Sequence, residues 1–302
     1  MRFRNPRPVL AAVAVAEPVW VATGYRFFPV PEPYGLRDAV EDLAAGAGLL
    51  GTVLVAAEGV NLSLAGTAQE LDAFESGLVA LCGRIPLLRT PAPGGPPFRR
   101  LRVRLRPEIV ALGRTEEALD FAGESRVDAD RWEQLLDDPS VPVIDVRNRY
   151  EVAVGRFEGA LDPGTDSFRE FPAWVDSHLN PEETPDVAIY CTGGIRCTKA
   201  AAWMRSRGFS QVHELSGGIL AYLAARTQAP SRWQGECFVF DDRVGLAAGL
   251  EPGELQICHV CGDPLMPEQH AARNPLAADP IACSRSECPV RADQAIDKES
   301  HA

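Results

Sequence analysis

The sequence predicts an α/β protein in three segments, and three observations carry that reading. Strand-like and helix-like runs alternate across residues 17–112 and again across 127–227. A third stretch, 228–302, loses that periodicity and carries five cysteines, four of them after residue 257. The chain has 302 residues, enough for two or three domains.

The elements of the first segment follow from local pattern. VWVATGYRFF reads as a strand and YGLRDAVEDLAAGAG as an amphipathic helix. GTVLVAAEG and VNLSLAG read as two further strands. TAQELDAFESGLVALCG is a second helix, opened by the capping box Thr67-x-x-Glu70. FRRLRVRLRPEIVALG closes the order β-α-β-β-α-β, the ferredoxin-like pattern, also called acylphosphatase-like. Its alternation puts Arg100, Arg102, Arg104 and Arg106 on one side and Leu101, Val103 and Leu105 on the other. Four guanidiniums in a row suit a phosphate backbone. They equally suit a solvated strand that resists edge pairing.

TPAPGGPP (90–97) reads as an exposed loop and residues 113–126 as a linker. In the second segment VDADRWEQLLDD, FPAWVDSHL, TKAAAWMRSRG and ILAYLAAR read as helices. VPVIDVR, DVAIYC and QVHELSGG read as strands. Strands alternating with helices predict a parallel sheet. The run VLAAVAVA (9–16) follows Arg2, Arg4 and Arg7 and imitates a leader peptide. It runs straight into a strand, so residues 1–16 read as an N-terminal extension. No apolar run approaches the ~20 residues that span a bilayer. A cytoplasmic chain is expected, with cysteines that serve catalysis or metal rather than disulfides. The net charge of −12 argues against a nucleic-acid coat protein yet permits a local basic patch. Only two of the 30 basic residues, Lys199 and Lys298, are lysine, which reads as compositional bias.

The chemistry concentrates in YCTGGIRCTKAAAWM (190–204). Cys191 ends an apolar strand, and strand C-termini face the crevice of an open parallel sheet. Thr192, Gly193, Gly194 and Ile195 turn the chain, and a helix starts near Cys197. Glycines let amides point inward as an anion nest, and a helix start adds positive potential. Both favour a thiolate, the nucleophilic form of cysteine. Arg196 adds a permanent cation. Cys197 either resolves an oxidised Cys191 as a disulfide or packs in the first helical turn. Cys82 and Cys237 read as core residues.

Upstream, DVRNRYEVAVGRFEGA (145–160) joins this loop in a pattern that resembles the rhodanese domain. That family has Asp-x-Arg-x-x-x-Glu, then Gly-x-[Ile/Phe]-x-Gly-Ala, then Cys-x-x-x-x-Arg. The resemblance implies that Cys191 accepts sulfur as a persulfide, that Asp145 and Arg147 brace the site, and that Arg196 closes the loop. Four residues separate Cys191 from Arg196, one fewer than in related phosphatases, which disfavours a phosphate cradle.

Further stretches resemble one family within that superfamily, the rhodanese-domain tRNA uridine hydroxylases that make 5-hydroxyuridine at the wobble position. They are AAEGVNLSLAG, VRLRPEIVALG, DPGTDSFREFPAWV, CTGGIRC, ELSGGILAYL, GECFVFDDRV and CHVC, and they cover roughly 19–290. Thr198 departs from the acidic residue expected after CTGGIRC, at a position read as peripheral. The resemblance implies an oxidoreductase with tRNA, bound at the anticodon region, as partner and molecular oxygen as co-substrate. No flavin, haem or nucleotide motif stands out, nor a non-haem iron set among the five histidines, and no membrane or protein partner is implied. The alternatives are a thiosulfate or persulfide sulfurtransferase and a non-catalytic rhodanese binding module.

In the third segment, Cys258 and Cys261 precede Cys283 and Cys288. Two cysteine pairs split by a loop match a structural zinc site of four thiolates, with His259 and His270 as possible substitutes. A redox pair or unliganded thiols are the other readings. The tail after Arg291 is polar and expected to be disordered.

Overall fold

A computed structural model of the chain describes residues 17–115, 119–121, 125–227, 231–258 and 262–266. The predicted terminal extension, the polar tail, Cys261, Cys283, Cys288, His259 and His270 lie outside the described residues.

The α/β class holds. The first unit runs β1 (Val19–Phe27), α1 (Pro33–Gly46), β2 (Leu50–Ala56), β3 (Gly59–Thr67), α2 (Ala68–Cys82), β4 (Leu88–Pro91) and β5 (Leu101–Leu105). The capping box forms as expected: the Glu70 amide donates to Thr67 Oγ1, and Glu70 Oε2 accepts from the Thr67 amide. Alternation along the strands sends Ala22, Val53, Val55, Leu62, Leu64 and Val103 towards α1 and α2. Thr23, Tyr25, Thr52, Leu54, Asn61 and Ser63 stand on the opposite face.

The sheet order is β4-β1-β3-β2-β5. The strand that completes the ferredoxin-like order is therefore β4, which pairs antiparallel with β1. The arginine-bearing run, expected in that role, is a fifth strand, parallel to β2 at the far edge. The sequence misleads here because β4 has only four residues and ends in proline. Those residues also overlap the stretch expected to be an exposed loop. Thr90, Ala92 and Pro97 are buried instead.

The second unit comprises β6 (Arg126–Val127), α3 (Ala129–Asp137), β7 (Val143–Asp145), α4 (Arg149–Val152), β8 (Gly155–Phe157), α5 (Phe171–His178), β9 (Asp186–Tyr190), α6 (Ile195–Ser206), β10 (Gln211–Leu215) and α7 (Gly218–Ala225). Four parallel strands lie in the order β6-β10-β9-β7. Both sheet faces are covered, so β9 is apolar throughout its interior. Ile189 packs with α5 and α6, while Ala188 and Tyr190 pack with Trp132, Ile219 and Leu223.

The last segment continues onto this unit. β11 (Trp233–Gly235) pairs with β8, β12 (Cys237–Phe238) with β13 (Gly245–Leu246), and β14 (Gln256–Ile257) with β15 (Pro264–Leu265).

A buried ionic cluster docks the two units. Lys199 on α6 donates to both Glu58 carboxylate oxygens at 2.8 Å, to Glu108 at 2.6 Å and to the Val110 carbonyl at 3.0 Å. Glu58 also accepts from the Ile109 amide, and Glu108 from the amides of Leu112 and Gly113. Every strong acceptor is thus paired. Removing one member of such a buried set costs ~3–5 kcal/mol, because the remaining charge is stranded. The lysine scarcity read as compositional bias has a structural exception here. Beyond Gly113 the described parts of the expected linker also pack: Phe121 stacks on Phe27 at 4.2 Å.

Candidate active site

The polar face of the first sheet and the C-terminal ends of β9 and β10 enclose a cleft of about 930 Å³. Cys191 lies at its floor, immediately after β9, as the parallel-sheet reading expects. The thiol is 0% exposed. A reactant reaches it only through the cleft.

The first turn of α7 sets the loop conformation. The Ile219 amide donates to the Cys191 carbonyl at 3.0 Å, and the Leu220 amide to the Thr192 carbonyl at 3.1 Å. A Cβ at Gly218, whose φ is 65°, would collide with both carbonyl oxygens. With those carbonyls turned towards α7, the opposite side of the loop presents N–H groups. The Gly194 amide donates to Cys191 Sγ at 3.1 Å. Gly194 has φ 94°, whereas Gly193 has no positive φ and its missing Cβ borders open space. Of the two glycines expected to form the nest, Gly194 is the one whose amide bonds the sulfur. Thr192 and Ile195 line the cleft with Cys191 and Gly193.

Burial pushes the Cys191 pKa up. The Cys197 thiol, the Arg196 charge and the amides of Cys197 and Gly194 outweigh burial and bring it down to about 6. Cys197 is buried beside it, and burial together with Cys191 pushes its own pKa well above the ordinary thiol value. Cys197 therefore stays protonated and donates. At two other core thiols burial is the largest influence and is not outweighed: Cys82 rises to about 11 and Cys237 to about 12. Both are core residues, as expected.

Arg196 is the cation expected beside the thiol, and it is itself paired. It forks onto Glu151 at 2.6 and 2.7 Å, and both groups are buried. Burial opposes ionisation of Glu151, but Arg196 and then Arg147 hold its carboxyl below the usual range. Asp145 and Arg147 form a second buried pair at 2.6 Å, and Arg147 also donates to the Gly155 carbonyl at 2.6 Å. They lie behind the loop and do not line the cleft.

Thr198 is not peripheral. It is buried, donates to Glu214 at 3.0 Å and meets the Tyr25 hydroxyl at 3.0 Å across the interface. Burial raises the Tyr25 pKa, so its hydroxyl remains a donor.

Arg100, Arg102, Arg104 and Arg106 are all exposed, along and beside the edge strand β5. Arg106 reaches the cleft; the other three do not line it. Arg100 and then Arg104 hold the Arg102 guanidinium below its usual value, the mark of like charges set side by side. Cys258 is buried, and the Gly262 amide donates to its carbonyl at 2.8 Å. Its three expected partners lie outside the described residues. Among the described residues no group of side chains forms a metal site, and no helix is long and apolar enough to cross a membrane.

Glu151, Glu58, Glu108, Lys199, Tyr25 and the Gly217-Gly218 pair were not among the expected site residues. Glu151, Glu58, Glu108 and both glycines sit inside quoted motifs, so their presence was visible. Their partners across the fold were not: Arg196 lies 45 residues from Glu151, Lys199 lies 91 from Glu108 and 141 from Glu58, Thr198 lies 173 from Tyr25, and Gly218 meets the Cys191 carbonyl from a later helix.

Residues 19–109 match the UPF0176 acylphosphatase like domain, and residues 128–225 match the Rhodanese-like domain. The chain is 44% identical over 268 residues to a tRNA uridine(34) hydroxylase of Deinococcus radiodurans, covering 88% of each protein. It is 42% identical over 278 residues to one of Synechococcus, covering 88% of this chain and 85% of that one. A Caulobacter vibrioides relative of the same name is 43% identical over 271 residues, with 87% and 85% covered.

The Cys191 environment makes a reactivity prediction. Alkylation of Cys191 by iodoacetamide, followed by peptide mass spectrometry, should rise with pH to a plateau, half-maximal near pH 6. Cys197→Ala removes a donor to the thiolate and should move the midpoint upward; Cys197→Ser keeps a donor and should move it less. A wild-type midpoint near the ordinary thiol value of 9 would show that the loop does not stabilise the anion.

Proposed function

We propose, since the chain belongs to the tRNA uridine(34) hydroxylase family, that it hydroxylates the wobble uridine of tRNA at ring carbon 5 and that Cys191 is the nucleophile. The observation that carries this reading is a thiol of lowered pKa at the floor of a cleft large enough for a nucleotide. The thiolate adds to C6 of the uracil ring, and the C5=C6 electron pair moves onto C5 and the C4 carbonyl. C5 then attacks one oxygen of a peroxide-level oxidant; the O–O bond breaks and the second oxygen leaves with its electron pair. Loss of the C5 proton and cleavage of the C6–S bond restore the double bond and return the thiolate. Molecular oxygen supplies the oxidant after two-electron reduction by a donor outside this chain.

Each neighbour has a part in this scheme. Gly194, Cys197 and Arg196 stabilise the leaving and attacking sulfur alike. Glu151, Asp145 and Arg147 hold Arg196 and the loop in place. Arg100, Arg102, Arg104 and Arg106 track phosphates of the anticodon arm towards the cleft, which fits their mutual repulsion in its absence. A tRNA substrate supports a cytoplasmic location. The cysteine spacing at Cys258, Cys261, Cys283 and Cys288 supports a structural zinc that stabilises the last segment.

Three measurements test these parts. Cys191→Ser should abolish 5-hydroxyuridine in tRNA nucleosides from cells that depend on this protein; retained product would reject the nucleophile. Arg102→Glu with Arg104→Glu should weaken tRNA binding and flatten its salt dependence while leaving Cys191 alkylation unchanged. Unchanged affinity would remove RNA from that strand. Elemental analysis of the full chain should find about one zinc per molecule; a folded, metal-free protein would count against the quartet.

A further inference from the structure

We infer that Phe240 is the stacking platform for the substrate base. Phe240 lines the same cleft as Cys191 and is 64% exposed. An exposed phenyl ring forgoes much of the gain of burial, so an exposed ring on a braced support suits a ligand better than a fold.

The support is rigid. Phe240 begins the turn between β12 and β13. The Val239 amide donates to the Val244 carbonyl at 2.8 Å, and the Val244 amide to the Asp241 carbonyl at 3.0 Å. Val244 has φ 63°, an unfavourable conformation for a β-branched residue that the turn nonetheless holds. Within the turn Arg243 forks onto Asp241 at 2.8 and 2.5 Å, with both side chains buried. Arg243 also donates to Thr90 Oγ1 at 2.7 Å and to the Pro91 carbonyl at 3.0 Å, both on β4. The Asp242 amide donates to the Pro97 carbonyl at 3.1 Å. The turn that carries the ring is thereby braced by its own ion pair and hydrogen-bonded to the first unit.

The ring is also aimed. Phe238 meets it edge to face at 5.2 Å, and the Arg196 guanidinium lies 5.9 Å from its centroid. Arg196 belongs to the loop that holds Cys191. The ring is therefore coupled to the thiol loop by contact and to the sheet by the Arg243 clamp. A base within a stacked anticodon loop cannot reach a thiol that is 0% exposed at the cleft floor. It must leave the stack, and an aromatic face inside the cleft replaces the lost stacking. Phe240 does this for the uracil ring while Cys191 addresses its edge. The inference rests on the hydroxylase reading above and extends it to one residue that touches the base.

The test uses the full-length protein and two anticodon stem-loop RNAs, one with uridine and one abasic at the wobble position. Binding is read by fluorescence anisotropy for wild type, Phe240→Ala, Phe240→Leu and Phe240→Tyr. Stacking one base predicts that Phe240→Ala weakens the uridine hairpin roughly 5- to 100-fold and the abasic hairpin less than about 2-fold. Phe240→Tyr should restore binding and Phe240→Leu should not, with melting temperature and the Cys191 alkylation profile unchanged throughout. Equal losses on both hairpins, no loss on either, or full rescue by leucine would overturn the platform. Production of 5-hydroxyuridine by wild type is measured alongside. Its absence would defeat the hydroxylase reading, whereas wild-type product with an unaffected Phe240→Ala would defeat the platform alone.

Discussion

Two hydrogen bonds from the first turn of α7, onto the carbonyls of Cys191 and Thr192, decide how the thiol loop faces. A peptide unit has one donor and one acceptor at opposite ends. Fixing the Cys191 and Thr192 carbonyls towards α7 turns the N–H groups of the same peptide units, those of Thr192 and Gly193, to the other side. The Gly194 amide next along the chain meets the sulfur. The cost of burying Sγ is then offset by directed N–H and S–H groups and by one cation. The contrast with Cys82 and Cys237, buried without that arrangement, is the clearest sign that burial alone works against ionisation.

The same helix that begins at the loop also joins the domains. Arg196, Cys197, Thr198 and Lys199 are consecutive on α6, and each points to a different partner. Arg196 meets Glu151, Cys197 meets the sulfur, Thr198 meets Glu214 and Tyr25, and Lys199 meets Glu58 and Glu108. One helical turn spreads four side chains around its circumference, so a single element reads the floor of the cleft and holds its opposite wall. The position of the first sheet over the thiol is thus an electrostatic consequence of α6, reinforced from the other side by the Arg243 clamp on β4.

That geometry separates two tasks. The loop and its ion pairs are buried and set the state of one sulfur atom. The sheet face, the arginine edge and the Phe240 turn are exposed and meet whatever enters. A chain of net charge −12 would need such a local basic edge to attract any polyanion.

Much of this was legible along the chain. Alternation located most strands, the capping box located α2, and strand-loop-helix order around Cys191 located the thiol, because those signals depend on neighbours in sequence. The fourth ferredoxin-like strand was misassigned, since a four-residue strand ending in proline has too little periodicity to stand out from the arginine run beside it. The arginine alternation was correct, yet its place at the outer edge depends on pairing with β2, which no local pattern encodes. By itself the sequence determined the two folding units, the loop thiol Cys191 and the motif members Asp145, Arg147, Glu151 and Arg196. Only the tertiary structure decided that Arg196 is spent on Glu151, that Lys199 and Thr198 bind the domains together, and that Phe240 stands beside the thiol loop. Those outcomes rest on contacts between residues distant in the chain, whose distances are set by packing.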